Sequence, residues 1–275
     1  MLLKIAISTC PNDTFMFEAL LNNRIDTRGY TFQLTLADID VLNQRALETD
    51  VDITKISISA YSQISETYQL LRSGAAIGFS NGPLIVSKSK IYPEELPYVT
   101  VAIPGENTTA NLLLSKLYPQ VKHKEVYLFS DIEEAIMDNE VDAGVIIHES
   151  RFTYKQRGLL LVSDLGVEWE KRMRMPLPLG AIAIKRNLPE SVKHDIQRVL
   201  AQSVQYALNN PKDSGSFVKH HAQELDDEVI SKHIQLYVNS LSTWINPKGE
   251  EAIREVLSIA LAENAGKLTE PVFIQ

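Results

Sequence analysis
The chain has 275 residues, 44% of them hydrophobic and 23% charged, the balance of an ordinary soluble globular protein with room for one large domain or two of usual size. Its formal net charge of −8 disfavours nucleic acid or an anionic membrane as the main partner, though it leaves a small anionic ligand open. The single cysteine, Cys10, excludes an internal disulfide and a CxxC metal site; no histidine pair has HExxH spacing, no apolar run reaches the length of a membrane span, and the Met1–Ile7 start lacks the basic region of a signal peptide, so a cytoplasmic protein is expected.

Residues 3–9 (LKIAIST) read as a strand, broken by Cys10-Pro11-Asn12-Asp13 and followed by a helix over 14–21 that Asn12 or Asp13 can cap. Strand, polar turn and helix make the first half of a βαβ unit, and they bring Ser8, Thr9 and Asn12 to a crevice suited to a carboxylate or a sugar hydroxyl. Residues 31–37 form a second strand, and Asp38-Ile39-Asp40 opens a helix that runs to Glu48. The third strand, residues 51–57 (VDITKIS), places Lys55 among isoleucines. That lysine reads either as an edge residue with its head in water or as an ammonium aimed at a carboxylate in a cleft. Ser57 and Ser59 follow, then a helix over 60–68. Residues 72–80 are glycine-rich but lack GxGxxG or P-loop spacing, so a nucleotide cradle is unsupported. After a strand at 82–88, residues 92–97 (YPEELP) read as a linker and the first domain crossing.

The βα pattern restarts at 99–103. Pro104-Gly105 makes a tight turn, and Thr108 or Thr109 caps an apolar helix over 110–117; its start is either only a cap or a second anion or carbonyl site. A strand at 125–129, a helix at 132–139 and a strand at 143–147 lead to the most suggestive run of the chain, GVIIHESR at 144–151. Open α/β sheets bind ligands beyond the carboxyl ends of such strands, so His148 stands either where chemistry is done or as a strand-end histidine bonded to a loop. Arg151 is either a substrate clamp or the ion-pair partner of Glu149, and Phe152 and Tyr154 either line a flat ring or simply pack. A strand at 159–162 precedes the second break, residues 176–180 (PLPLG), the return crossing into a strand at 181–185. The rest reads as helices over 190–208, 215–221, 227–238 and 248–262, with Ile196, Val199, Leu200, Val204 and Ala207 as a core-facing stripe. His194, His220, His221 and His233 lie among charges on these helices and are expected to be solvated or capping.

These elements describe an α/β protein of two lobes with a ligand cleft between them and a helical C-terminal third. Residues 1–90 begin lobe 1, residues 91–178 form lobe 2, and residues 179–275 return to lobe 1; closure about the crossings would be a hinge motion.

The runs STCPNDTFMFEAL (8–20), TKIS (54–57), IPGENTTANLLL (103–114), AGVIIHESRFTY (143–154) and LPLGAIAIKRNL (177–188) resemble the 1,4-dihydroxy-6-naphthoate synthases of menaquinone biosynthesis by the futalosine route. The likeness covers essentially the whole chain in one order. It implies a type II periplasmic-binding-protein-like fold and a lyase that converts cyclic dehypoxanthinyl futalosine to 1,4-dihydroxy-6-naphthoate. It also implies His148 as the catalytic general base, Lys55, Ile56, Ser57, Thr109 and Ala110 as substrate-binding positions, and no metal, nucleotide or redox cofactor. From their places at strand ends, Thr9, Asn12, Asp38 and Arg151 join the candidate substrate-binding set, for a small molecule carrying an aryl carboxylate. Two rivals stand beside this reading: a chorismate dehydratase of the same route, and a non-catalytic small-molecule binding protein of the same fold.

Fragmentation followed by aromatisation needs proton movement and no covalent intermediate, so Cys10 is expected to be a small residue that shapes its turn. Cys10→Ser is therefore expected to retain substantial turnover in a steady-state assay; complete inactivation of the folded variant would restore a nucleophilic role.

Overall fold
Apolar alternation draws Leu2–Ile7 into strand β1, and Pro11, whose fixed φ suits a first helical turn, starts α1 (Pro11–Leu21) in the computed structural model, which describes residues 1–222, 226–264 and 268–275. The chain continues through β2 (Thr31–Leu36), α2 (Ile39–Leu47), β3 (Ile53–Ser57), α3 (Ile58–Ile64), β4 (Tyr68–Leu70) and β5 (Ala76–Gly78). Next come β6 (Leu84–Ser87), β7 (Val101–Ile103), α4 (Thr109–Leu117), β8 (Lys124–Val126), α5 (Ile132–Met137), β9 (Ala143–Ile146), α6 (Ser150–Thr153), β10 (Leu160–Asp164) and α7 (Leu165–Met173). Strand β11 (Leu177–Lys185) is followed by α8 (Glu190–Asn209), α9 (Gly215–His221), α10 (Asp227–Tyr237), α11 (Ser240–Thr243) and α12 (Pro247–Asn264).

Two units result, Met1–Gly78 with Pro178–Gln275, and Phe79–Leu177. The first unit holds a six-stranded sheet in the order β2-β1-β3-β11-β4, with β5 also paired to β11. Strands β1, β2 and β3 are parallel, while β11 runs antiparallel to β3 and β4. Helices α1 and α8 build the main core with Leu3, Ile5, Ile7, Phe17 and Leu20; the expected stripe of α8, from Ile196 to Ala207, lies in it. Because β3 is central, all five of its residues are buried and no polar alternation appears.

The second unit holds a five-stranded sheet, β10-β6-β9-β7-β8. Strand β6 pairs antiparallel with both β9 and β10, which places it in this unit; the chain crosses at Gly78/Phe79, ahead of the YPEELP run at 92–97, which folds as a 3-10 turn inside the unit. A linker composition and a 3-10 turn share prolines and acids, and only the strand pairing separates them. Leu84, Val86, Ala102, Ile132, Ile136 and Ile146 form the core. Asp164 accepts from the Gly166 and Val167 amides at 2.9 and 3.1 Å and so starts α7, a helix the sequence pattern leaves unassigned. Among the described residues no helix is long and apolar enough to cross a membrane.

Gly82 and Gly166 meet backbone to backbone where α7 leaves β10: a β-carbon on Gly166 would fall 2.6 Å from the Gly82 nitrogen. Neither backbone can yield cheaply, so Gly166→Ala is expected to lower unfolding stability by about 3 kcal/mol, read from the urea midpoint at unchanged slope.

Candidate active site
In the first unit, β3 aligns Lys55 and Ser57 on one face, two residues apart, with Ile56 turned into the core on the other. Lys55 is central and 5% exposed, so it is no edge lysine; its Nζ lies 2.6 Å from Asp13 Oδ1. Asp13, 1% exposed in the first turn of α1, also accepts from Ser8 Oγ at 2.6 Å and from Asn12 Nδ2 at 2.9 Å. Neither Asn12 nor Asp13 caps α1, contrary to expectation: Pro11 occupies the first helical position, Cys10 is the N-cap residue, and the two side chains are spent on the ion pair. Gly180 on β11 makes room for Lys55, since a β-carbon there would fall 2.9 Å from Lys55 Cε. Breaking a buried pair of this kind from one side costs about 3–5 kcal/mol, because the other charge is left in the interior.

Ser57 is fixed by a residue the sequence did not single out. Buried Asn43 on α2 accepts the Ser57 amide at 2.9 Å and donates to Ser57 Oγ at 3.0 Å, which leaves the hydroxyl proton of Ser57 directed elsewhere. Thr9 lies half-buried in the turn after β1, and Asp38 is the half-buried N-cap residue of α2 without accepting a capping bond. His233, expected among solvated histidines, is instead fully buried, with Nε2 2.8 Å from Asn12 Oδ1. Its helix face packs inward, a fact that charged neighbours in the sequence conceal.

In the second unit, β9 delivers His148 into a turn with φ +53°, a left-handed backbone uncommon outside glycine. Such a conformation costs of order 1 kcal/mol and persists only when its surroundings impose it. Those surroundings are visible. The Phe129 ring stands edge-on to the imidazole, centroids 4.8 Å apart at 79°. Ser150, starting α6, donates to Glu133 Oε2 on α5 at 2.9 Å. Arg151 donates to the Gly82 carbonyl at 2.5 Å and pairs with Asp164 at 2.6 Å, so its ion-pair partner is Asp164 and not Glu149. Asp164 is thus both helix cap and counter-charge. Thr108 is the N-cap of α4: its hydroxyl donates to the Gly105 carbonyl at 2.7 Å and accepts from the Asn111 amide at 3.2 Å. Thr109 and Ala110 are buried in the first turn of that helix, where backbone amides lack helical acceptors. Phe152 is half-buried, and Tyr154 packs in the core.

Helices alternating with two mixed sheets, in two units joined by two crossings, define the periplasmic-binding-protein fold. The alkanesulfonate-binding protein from Xanthomonas axonopodis pv. citri, solved with MOPS bound, shares it at a TM-score of 0.74, 13% identity, and coverage of 99% of this chain and 97% of that one. A solved protein from Archaeoglobus fulgidus matches at a TM-score of 0.90 with 32% identity over 96% of this chain and 98% of its own. A family profile described as menaquinone biosynthesis matches residues 3–262, and the chain belongs to that family. It is 41% identical over 273 residues, 99% of each chain, to the protein of Thermus thermophilus named 1,4-dihydroxy-6-naphthoate synthase. It is 38% identical over 267 residues, 95% of this chain and 93% of the other, to the Streptomyces coelicolor protein of the same name.

Burial raises the Glu133 pKa, offset in part by the Ser150 hydroxyl and by Arg157. A raised acid pKa means that folding favours the neutral form: this contribution is complete below the ordinary glutamate range and is lost as pH rises through the raised value. Glu133→Gln keeps an acceptor for Ser150 without the charge. It is expected to melt above wild type at pH 8, with the gap closing toward pH 4 in a series of thermal melts.

Proposed function
We propose that the chain is a cytoplasmic lyase that converts cyclic dehypoxanthinyl futalosine to 1,4-dihydroxy-6-naphthoate, with His148 as general base. The observation that supports it most is the match over nearly the full chain to two proteins named for that product, together with a histidine held in a strained turn at the end of β9. Strained backbone clusters at active sites, which supports a functional reading of the His148 turn.

The chemistry fits the residues. Releasing the sugar-derived fragment and forming an aromatic ring moves protons and not electrons, so one base of near-neutral pKa serves and no metal or redox cofactor is called for. Aromatisation supplies much of the driving force. Phe129 and the left-handed backbone fix the imidazole plane, so the ring presents one nitrogen in a constant direction. The substrate's aryl carboxylate needs donors. In the first unit Lys55 has two N–H groups beyond the one given to Asp13, and Ser57 has its hydroxyl proton; in the second, Thr109 and Ala110, in the first turn of α4, are the positions proposed for the substrate. Ile56 contributes through its backbone. Thr9 and Asp38 are the remaining polar contacts proposed for the sugar-derived ring. Asn12 and Arg151, each engaged at both ends of its polar group, orient their neighbours.

His148→Ala is expected to keep the fold and substrate binding while kcat falls by about 10²–10⁴-fold. The measurement is product formation from cyclic dehypoxanthinyl futalosine beside binding by calorimetry. Near-normal kcat would remove His148 from the mechanism, and wild-type protein that binds the compound without forming the naphthoate would make the chain a binding protein.

A further inference from the structure
Within the first unit a chain of buried polar groups runs from α10 to β3. His233 Nε2 lies 2.8 Å from Asn12 Oδ1; Asn12 Nδ2 donates to Asp13 Oδ1 at 2.9 Å; and the same oxygen takes the Lys55 ammonium at 2.6 Å. All four residues are at most 5% exposed. The direction of each bond follows from its chemistry. An ionised carboxylate only accepts, so Asn12 must turn its NH₂ toward Asp13 and its carbonyl toward His233. His233 must then carry a proton on Nε2. Histidine is thereby the donor that sets the Asn12 amide plane, and Asn12 in turn sets the side from which Asp13 Oδ1 receives Lys55.

We infer that His233 is a positioning residue for the Lys55 ammonium, acting through Asn12 and Asp13 and touching no substrate itself. The inference rests on the reading that Lys55 holds the substrate carboxylate. The reason for such a relay is the flexibility of lysine. Four rotatable bonds carry a compact charge that a single carboxylate oxygen does not orient, and without the Asn12 bond the Asp13 carboxylate would be held only by Ser8 and by the lysine it orients. With Oδ1 held by Asn12 and Oδ2 by Ser8, the carboxylate plane is fixed and the two spare N–H groups of Lys55 keep one direction. A histidine that only filled space would need no proton on Nε2, and an apolar residue of similar volume would replace it.

The test compares His233→Leu, which removes the donor, with His233→Gln, which restores one near the Nε2 position, and with Lys55→Met. His233→Leu is expected to raise KM about tenfold with kcat within about threefold, and His233→Gln to return KM to near wild type. The second readout needs no turnover: in protein labelled with ¹⁵N-lysine, the Lys55 ammonium resonance, assigned by its loss in Lys55→Met, is expected to be protected from exchange in wild type and His233→Gln and broadened away in His233→Leu. Asn12→Ala, a substitution helix α1 accommodates, is expected to give the same spectral loss should the leucine variant not fold. If Lys55→Met raises KM while His233→Leu leaves it unchanged, the relay is overturned and the role of Lys55 stands. If Lys55→Met leaves KM unchanged, the substrate role of Lys55 falls and the spectrum alone decides the relay. A Lys55 resonance still protected in both His233→Leu and Asn12→Ala overturns it.

Discussion

A lysine in the centre of a sheet is untenable without a counter-charge, and the pair of Lys55 with Asp13 is the constraint on which the first unit turns. Strand β3 has neighbours on both sides and no solvent face, so the ammonium must be met where it emerges. Asp13 meets it because Pro11 starts α1 early enough to bring the aspartate into the first turn, where the helix dipole also favours a negative charge. Ser8 and Asn12 complete the carboxylate, and Gly180 leaves the aliphatic stem its path. A buried pair of this sort adds little net stability over an apolar replacement of the same volume.

The second unit applies the same logic to a turn instead of a strand. His148 occupies a backbone conformation that nothing in its own sequence favours, and three neighbours impose it from outside. Phe129 limits the ring, Glu133 holds Ser150, and the Arg151–Asp164 pair ties the turn to β10 and the start of α7. Each of these partners lies on a different element, so the geometry at His148 reports the packing of most of the unit. Such external bracing fixes the direction of the imidazole, a property that the proposed general-base role would use.

The α/β class, the order of most elements and the two-part organisation are legible in the chain because they depend on local signals: β-branched runs, prolines at helix starts and apolar stripes such as that of α8. The candidates for chemistry can be picked out as well, since Lys55 stands out among isoleucines and His148 ends an apolar run. Their partners cannot. Asn43, Glu133, Asp164 and His233 sit in segments whose composition reads as ordinary helix or loop, and only folding brings them to the residues they orient. The point at which the chain passes from one unit to the other is hidden in the sequence for a related reason. Strand β6 carries no mark of which sheet it will join, and its antiparallel bonds to β9 and β10 decide the matter at a distance in sequence.

Strand β11 sits between β3 and β4 in the first sheet, and the Val272–Ile274 segment exchanges backbone hydrogen bonds with Leu70 beyond it. The first unit is therefore assembled from two stretches of chain separated by the whole of the second. During synthesis, residues 79–177 can reach their final pairing while β1, β2 and β3 still lack the neighbour that covers Lys55. The connectivity lets the contiguous unit close first, and the strand that borders the buried ion pair is supplied only when the chain returns.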